Sequence, residues 1–154
     1  MKERFVVDSM LGRLAKWLRI LGYEAIYRPS YRRGELEGLL SQEGRRLLTR
    51  SSENMRRFPD SVFIISDHVG EQLKELVDSG VVRVEVDRIF SRCPECGERL
   101  IKPDPCTARE SLPEYVYIHH VQDLEACPSC GRYFWQGSHK QRMLEQLKAW
   151  GLLR

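Results

Sequence analysis

Two short cysteine motifs carry the clearest chemistry in this chain. Cys93 and Cys96 form one C-x-x-C, and Cys127 and Cys130 form another. Each has proline after its first cysteine and glycine after its second. A knuckle of this kind turns tightly enough to aim two thiolates and nearby backbone N–H groups at one metal, and glycine tolerates the positive φ such a turn needs. Two knuckles close a tetrahedral shell around Zn²⁺ and leave no open position, which makes the site structural. Binding can supply about 10–16 kcal/mol of apparent folding free energy to a small core. The doubled spacing disfavours two disulfides or a dithiol redox motif, and an iron–sulfur cluster is the remaining chemical rival. Cys106 lies between the pairs and reads as a spare thiol. His119 and His120 are not needed as ligands, and read as part of a strand with one histidine inward.

Acidic residues form a second candidate constellation. Asp8 ends the apolar run Phe5-Val6-Val7, Glu35 opens a helical stretch, Ser51 follows a third strand and Asp67 a fourth. In an open parallel sheet, ligands bind outside the carboxyl ends of the strands. Hard cations such as Mg²⁺ or Mn²⁺ need several oxygens, and two of them can activate water and stabilise the leaving oxygen in phosphodiester cleavage. The same residue types also cap helices, so residue identity alone leaves both readings open. Residues 28–57 hold eight arginines against four glutamates. Guanidinium forks suit phosphate, and a solvated charged face is the plainer alternative.

These residues need elements to position them. Met10, Leu11, Leu14, Trp17, Leu18 and Leu21 recur at helical spacing, and Gly22 is a stop just past them. Glu24–Tyr27 reads as a strand, Glu35–Glu43 as a helix, and Leu47–Thr49 as a strand. A helix starts at Ser51 or Ser52, Val62–Ile65 is a strand, and His68–Asp78 is a helix ended by Gly80. Val81–Val86 reads as a final strand. Short strands separated by helices predict an α/β fold, an open parallel sheet with helices on both faces. Beyond residue 90 the reading changes to a knuckle, a polar linker with three prolines, a strand over Tyr115–Val121, the second knuckle, and a strand over Tyr133–Trp135. Ser138 with Gln141 has the spacing of a capping box that opens a terminal helix.

The chain has 154 residues, 42% of them apolar and 31% charged, with a net charge of +3. That is a globular rather than a disordered composition. No apolar run approaches 18 residues, so no spanning helix is expected and no membrane role. The N-terminal stretch has no signal-peptide pattern. Five cysteines in two close pairs and a singleton do not look like a disulfide framework, which favours a cytoplasmic setting. All five lie beyond residue 90, so the expected domains are 1–90 for the sheet and 91–154 for a metal-stapled module.

Several separated motifs agree with one family. FVVDSMLGRLAKWLRILGYE, EGRRLLTR, SRCPECG and CPSCGRYFWQGSH, in this order, resemble the Mut-seven C-terminal RNase family, over nearly the whole chain. The resemblance implies a PIN-like nuclease fold followed by a zinc ribbon, and a metal-dependent ribonuclease using Mg²⁺ or Mn²⁺. It implies Asp8, Glu35 and Asp67 as catalytic residues, and Arg13, Arg50 and His139 as contacts to RNA. The chain departs from the family pattern at three places. Ser51 stands where the family usually has aspartate, Glu24 where it usually has aspartate, and Gln136 where it often has arginine. A serine is a much poorer metal ligand than a carboxylate but a good helix cap. The alternative is therefore a degenerate RNA-binding or adaptor protein, or a ribbon used for protein contact.

Overall fold

The computed structural model describes residues 4–42 and 44–154. The chain divides into two compact units, Met1–Gly97 and Glu98–Arg154.

The first unit is built on a four-stranded parallel sheet. Its strands are β1 (Arg4–Val7), β2 (Glu24–Tyr27), β3 (Arg45–Thr49) and β4 (Val62–Phe63), in the spatial order β2-β1-β3-β4. Its helices are α1 (Gly12–Ile20), α2 (Glu35–Leu40), α3 (Ser52–Arg57) and α4 (Val69–Asp78). The chain moves one way from β1 to β2 and back across β1 to β3. Right-handed crossovers therefore put α1 and α2 on opposite faces. The predicted second helix ends at Leu40, and Glu43 lies outside the described residues.

Side-chain alternation along the strands supplies both faces. Val6 and Leu47, paired in register, pack with Leu36 of α2 and with Tyr31, Leu39, Leu40 and Phe58. On the other side α1 lies against β1, β2 and α4, with Leu14, Leu18, Leu73 and Leu76 fully buried. Each such leucine contributes about 1.5–3 kcal/mol by leaving water. The predicted stops hold. Gly22 ends α1 at φ +96°, and Gly80 follows α4 at φ +79°.

Val81–Val86 is not a fifth strand. Its backbone groups are satisfied elsewhere. The amides of Val81 and Val82 both donate to the Leu76 carbonyl, and the Tyr23 hydroxyl accepts from the Arg83 amide and donates to its carbonyl. Val82 is buried as a single anchor. β4 is also shorter than predicted, although the Ile64 amide continues its pattern by donating to the Thr49 carbonyl.

The second unit contains α5 (Pro105–Ser111), α6 (Glu114–His120), β5 (Glu125–Ala126), β6 (Tyr133–Phe134) and α7 (Ser138–Ala149). β5 and β6 pair antiparallel, and Ile101 bridges to Ala126 from the other side. The predicted proline linker and the strand over Tyr115–Val121 are both helical. Asp104 caps α5 by accepting from the Thr107 amide, with Pro105 in the first turn, where its missing N–H costs nothing. Pro113 is itself the cap residue before α6, and α6 buries Val116 while exposing Tyr115 and Ile118. Proline before a helix, rather than within a strand, was the deciding signal. Ser138 is the first residue of α7 rather than its cap, a position taken by Gly137 without a side-chain bond. No helix among the described residues is long and apolar enough to cross a membrane.

A Cβ at Gly22 would lie 2.7 Å from the Arg88 carbonyl oxygen, in a backbone conformation L residues rarely adopt. Gly22→Ala is therefore expected to destabilise the protein by about 1–3 kcal/mol, read as a lower urea midpoint. An unchanged midpoint would contradict this packing.

Candidate functional site

Asp8 follows the last residue of β1, at the carboxyl edge of the sheet, and is 5% exposed. Its Oδ1 accepts from the Ser9 amide at 2.8 Å. Its Oδ2 accepts from the Thr49 hydroxyl at 2.6 Å and from Asn54 Nδ2 at 2.8 Å. The donors come from the turn after β1, the end of β3 and the helix α3. Ser51 organises the last two. Its amide donates to Thr49 Oγ1 at 2.9 Å, and its hydroxyl accepts from the Asn54 amide at 3.2 Å, capping α3. The residue at position 51 thus works as the helix cap expected of serine and sets the geometry of the side chains that hold Asp8.

A cavity of about 260 Å³ opens beside Asp8. It is lined by Ser9, Tyr31, Arg32, Arg33, Gly34, Leu36, Glu37, Asn54 and Arg57 as well as Asp8. The residues of this lining carry two carboxylates and three guanidiniums. Glu37 pairs with Arg57. The turn carrying Arg32 and Arg33 is tied down at several points. The Tyr31 hydroxyl donates to the Val7 carbonyl at 2.6 Å and accepts from the Arg28 amide at 3.2 Å. Burial, aided by the charges of Asp8 and Glu35, pushes the Tyr31 phenol up to about 12, against the opposing pull of Arg28. It is a neutral donor at any physiological pH.

Glu35 does not line this cavity. Its carboxylate accepts from the Arg32 amide at 2.9 Å and from Arg28 Nε at 2.6 Å, and both hold it below the usual carboxylate range. A depressed pKa adds stability that is present above the unfolded value and lost as pH falls through the folded one. Glu35 thus staples the arginine turn. Asp67 is exposed in the loop after β4 and also lies off the cavity lining. That loop is fixed by Glu75, which accepts from the Ile65 and Ser66 amides at 3.0 and 2.9 Å. Burial opposes its charge, but the Ser66 hydroxyl and these amides outweigh it and lower its pKa. Arg13 is exposed in the first turn of α1, Arg50 donates to the Ile65 carbonyl at 3.1 Å, and His139 is exposed in the first turn of α7. Of the sequence candidates, only Asp8 reaches the cavity. Glu37, Asn54 and Arg57 also line the cavity and were not singled out in the sequence. The one sequence signal for them was the local excess of arginine.

Cys93, Cys96, Cys127 and Cys130 bring their sulfurs within 4.8 Å of one another. A tetrahedral shell with Zn–S of about 2.3 Å places sulfurs roughly 3.8 Å apart, so the donor set fits a metal ion such as Zn²⁺. Gly97 and Gly131 both stand at φ +78°, as the knuckle turn requires, and their amides donate back to the Cys93 and Cys127 carbonyls. Buried Arg19 braces the first knuckle, donating to the Glu95 carbonyl at 2.9 Å, the Pro94 carbonyl at 3.2 Å and the Ala25 carbonyl at 2.8 Å. Burial lowers its pKa, and Cys93 and Cys96 oppose that shift. Cys106 is exposed on α5 and stands outside the group. His119 and His120 end α6, where His120 Nδ1 approaches Asp123 at 3.4 Å. Among the described residues no second set of three or more acids, histidines or cysteines converges in this way.

Thr49→Val removes a hydrogen bond to a buried carboxylate and is expected to cost about 1.5–3 kcal/mol, read by urea unfolding. A neutral effect would mean that Asp8 does not depend on this donor. Titration of reduced protein with Co²⁺ should give thiolate charge-transfer bands that saturate at about one ion per chain, and Cys96→Ser should weaken them. Unchanged bands in that variant would exclude Cys96 from the shell.

Residues 3–147 match the family model described as Mut7-C RNAse domain. Among curated proteins and among solved structures nothing matches the chain. The match spans the sheet, the Asp8 cavity and both cysteine knuckles, and the chain belongs to the Mut7-C RNAse domain family.

Proposed function

We propose that the Met1–Gly97 unit hydrolyses RNA phosphodiesters at the cavity beside Asp8, with Zn²⁺ held structurally by the four cysteines. The observation that carries this reading is the buried Asp8 carboxylate at the sheet's carboxyl edge, sharing one cavity with Glu37 and three arginines.

Mg²⁺ or Mn²⁺ would supply Lewis-acid stabilisation and a water of lowered pKa when bound. Mg²⁺ sites commonly use one or two carboxylates, with waters and substrate phosphates completing the shell. Asp8 and Glu37 meet that requirement. Oδ1 of Asp8 has a single protein donor and keeps acceptor capacity. This favours a one-ion site on Asp8 and Glu37 over a cluster of Asp8, Glu35 and Asp67.

The chain's own residues do the positioning. Ser9, Thr49 and Asn54 fix the Asp8 carboxylate in one orientation, and Tyr31 and Glu35 hold the arginine turn beside it. Glu37 can exchange Arg57 for a cation, which releases a guanidinium for a substrate phosphate. A second reading rests on Ser51: with a helix cap where the family usually has a carboxylate, the site retains phosphate recognition but loses turnover.

Cleavage of labelled single-stranded RNA by pure protein, with and without added Mg²⁺ or Mn²⁺, tests both. The expected result is divalent-dependent cleavage that Asp8→Asn abolishes. Glu37→Gln should lower the rate more than the about 10- to 100-fold typical of losing a metal's outer partner, and Glu35→Gln should act mainly on stability. Cleavage that persists in Asp8→Asn would refute the site. RNA binding by the parent without cleavage in either metal would establish the second reading.

A further inference from the structure

The arginine turn holds more positive charge than a single scissile diester requires. Glu37 is balanced by Arg57. Arg32 and Arg33 are both exposed on the cavity lining, and the charge of Arg32 also acts on Glu35. The turn that carries them is nevertheless built. The Arg32 amide is held by Glu35 at 2.9 Å, and Tyr31 ties the same loop to the end of β1 through the Val7 carbonyl at 2.6 Å. Gly34 follows at φ +81°, with open space where a Cβ would stand. The two side chains bring a formal charge of +2 to the lining, beside the single negative charge of Asp8.

A phosphodiester carries one negative charge, whereas a terminal phosphomonoester carries about −1.5 to −2 at neutral pH and three acceptor oxygens. Two adjacent guanidiniums match the second group in charge and in donor geometry. A lysine pair would supply charge without the planar forks. The cavity of about 260 Å³ has room for roughly nine waters at about 30 Å³ each, so it accommodates a terminal group with part of its nucleotide. We propose that Arg32 and Arg33 form a subsite for a terminal phosphomonoester of RNA, adjacent to Asp8, and so set the enzyme's preference among RNA ends. The proposal rests on the reading of this cavity as the RNA phosphate site.

Fluorescence anisotropy with full-length protein and no added divalent ion tests it without requiring turnover. One single-stranded RNA sequence is used in three forms: 5′-phosphorylated, 3′-phosphorylated, and hydroxyl at both ends. One phosphorylated form is expected to bind at least about tenfold tighter than the hydroxyl form, the scale of one charge-assisted hydrogen bond. Arg32→Gln/Arg33→Gln should erase that difference, and Arg13→Gln, an exposed arginine off the cavity lining, should retain it. A melting curve checks that the double variant folds, and Arg33→Gln alone, expected to reduce the difference, serves if it does not. Equal affinity for the three RNAs, or a difference that survives loss of the arginines, would overturn the proposal. So would a free nucleoside monophosphate that competes as tightly as the oligomer, since the subsite would then take a mononucleotide rather than an RNA end. End preference without cleavage in Mg²⁺ or Mn²⁺ supports the subsite while refuting hydrolysis, and cleavage without end preference does the reverse.

Discussion

A buried carboxylate at a sheet edge is costly unless donors surround it. In this chain Asp8 is buried at the end of β1, and three donors from three separate segments converge on it. The parallel register sets this up, since Val7 pairs with Leu48 and brings Thr49 alongside Asp8. Ser51 then starts α3 at the angle that returns Asn54 to the same oxygen. The first strand, the third strand and α3 are thus locked together by one charge, and the cavity wall is the outcome of that lock. Replacement of any donor leaves part of a buried charge unsatisfied.

The arginine turn is the opposing half of the site. Its charges are arranged in two classes. Arg28 and Arg57 are bound by Glu35 and Glu37, respectively, while Arg32 and Arg33 are presented at the cavity. Arg28, Arg32 and Arg33 sit within one short stretch and Arg57 ends α3, and charge counting alone does not separate paired arginines from presented ones. Arg28, through Glu35, holds the turn, and Arg57 reaches Glu37 from α3. The unit Glu98–Arg154 follows different physics. Its sheet pairs only short segments and its helices bury few apolar side chains each, the kind of small core for which a metal held by thiolates would add cohesion.

Features governed by local chemistry were legible in the sequence. The knuckle glycines took the left-handed conformation, Gly22 ended α1, Ser51 capped α3, and the four strands of the parallel sheet stood where the apolar runs predicted them. Errors arose where tertiary context decided. Val81–Val86 alternates as a strand should, but Tyr23 and the end of α4 satisfy its backbone first. Tyr115–Val121 has the aromatic and β-branched content of a strand, yet proline before it opens a helix. The site was half legible. Asp8 stood out because it ends a strand, but the choice between Glu35 and Glu37 depends on which side of a six-residue helix faces the cavity. Glu35 turns toward Arg28, and Glu37 faces the cavity. Asp67 was in the right loop of the topology, but it is exposed and off the cavity lining.

The central claim is that Asp8 and Glu37 together form the cation site of an RNA-cleaving cavity. The most direct measurement is an anomalous difference map from a crystal of this protein soaked in Mn²⁺. The account predicts a peak within coordination distance of both carboxylates, at about 2.0–2.2 Å for an ion of this class, and none in Asp8→Asn. A Mn²⁺ peak on Glu35 or Asp67, with the Asp8 cavity empty, would contradict it.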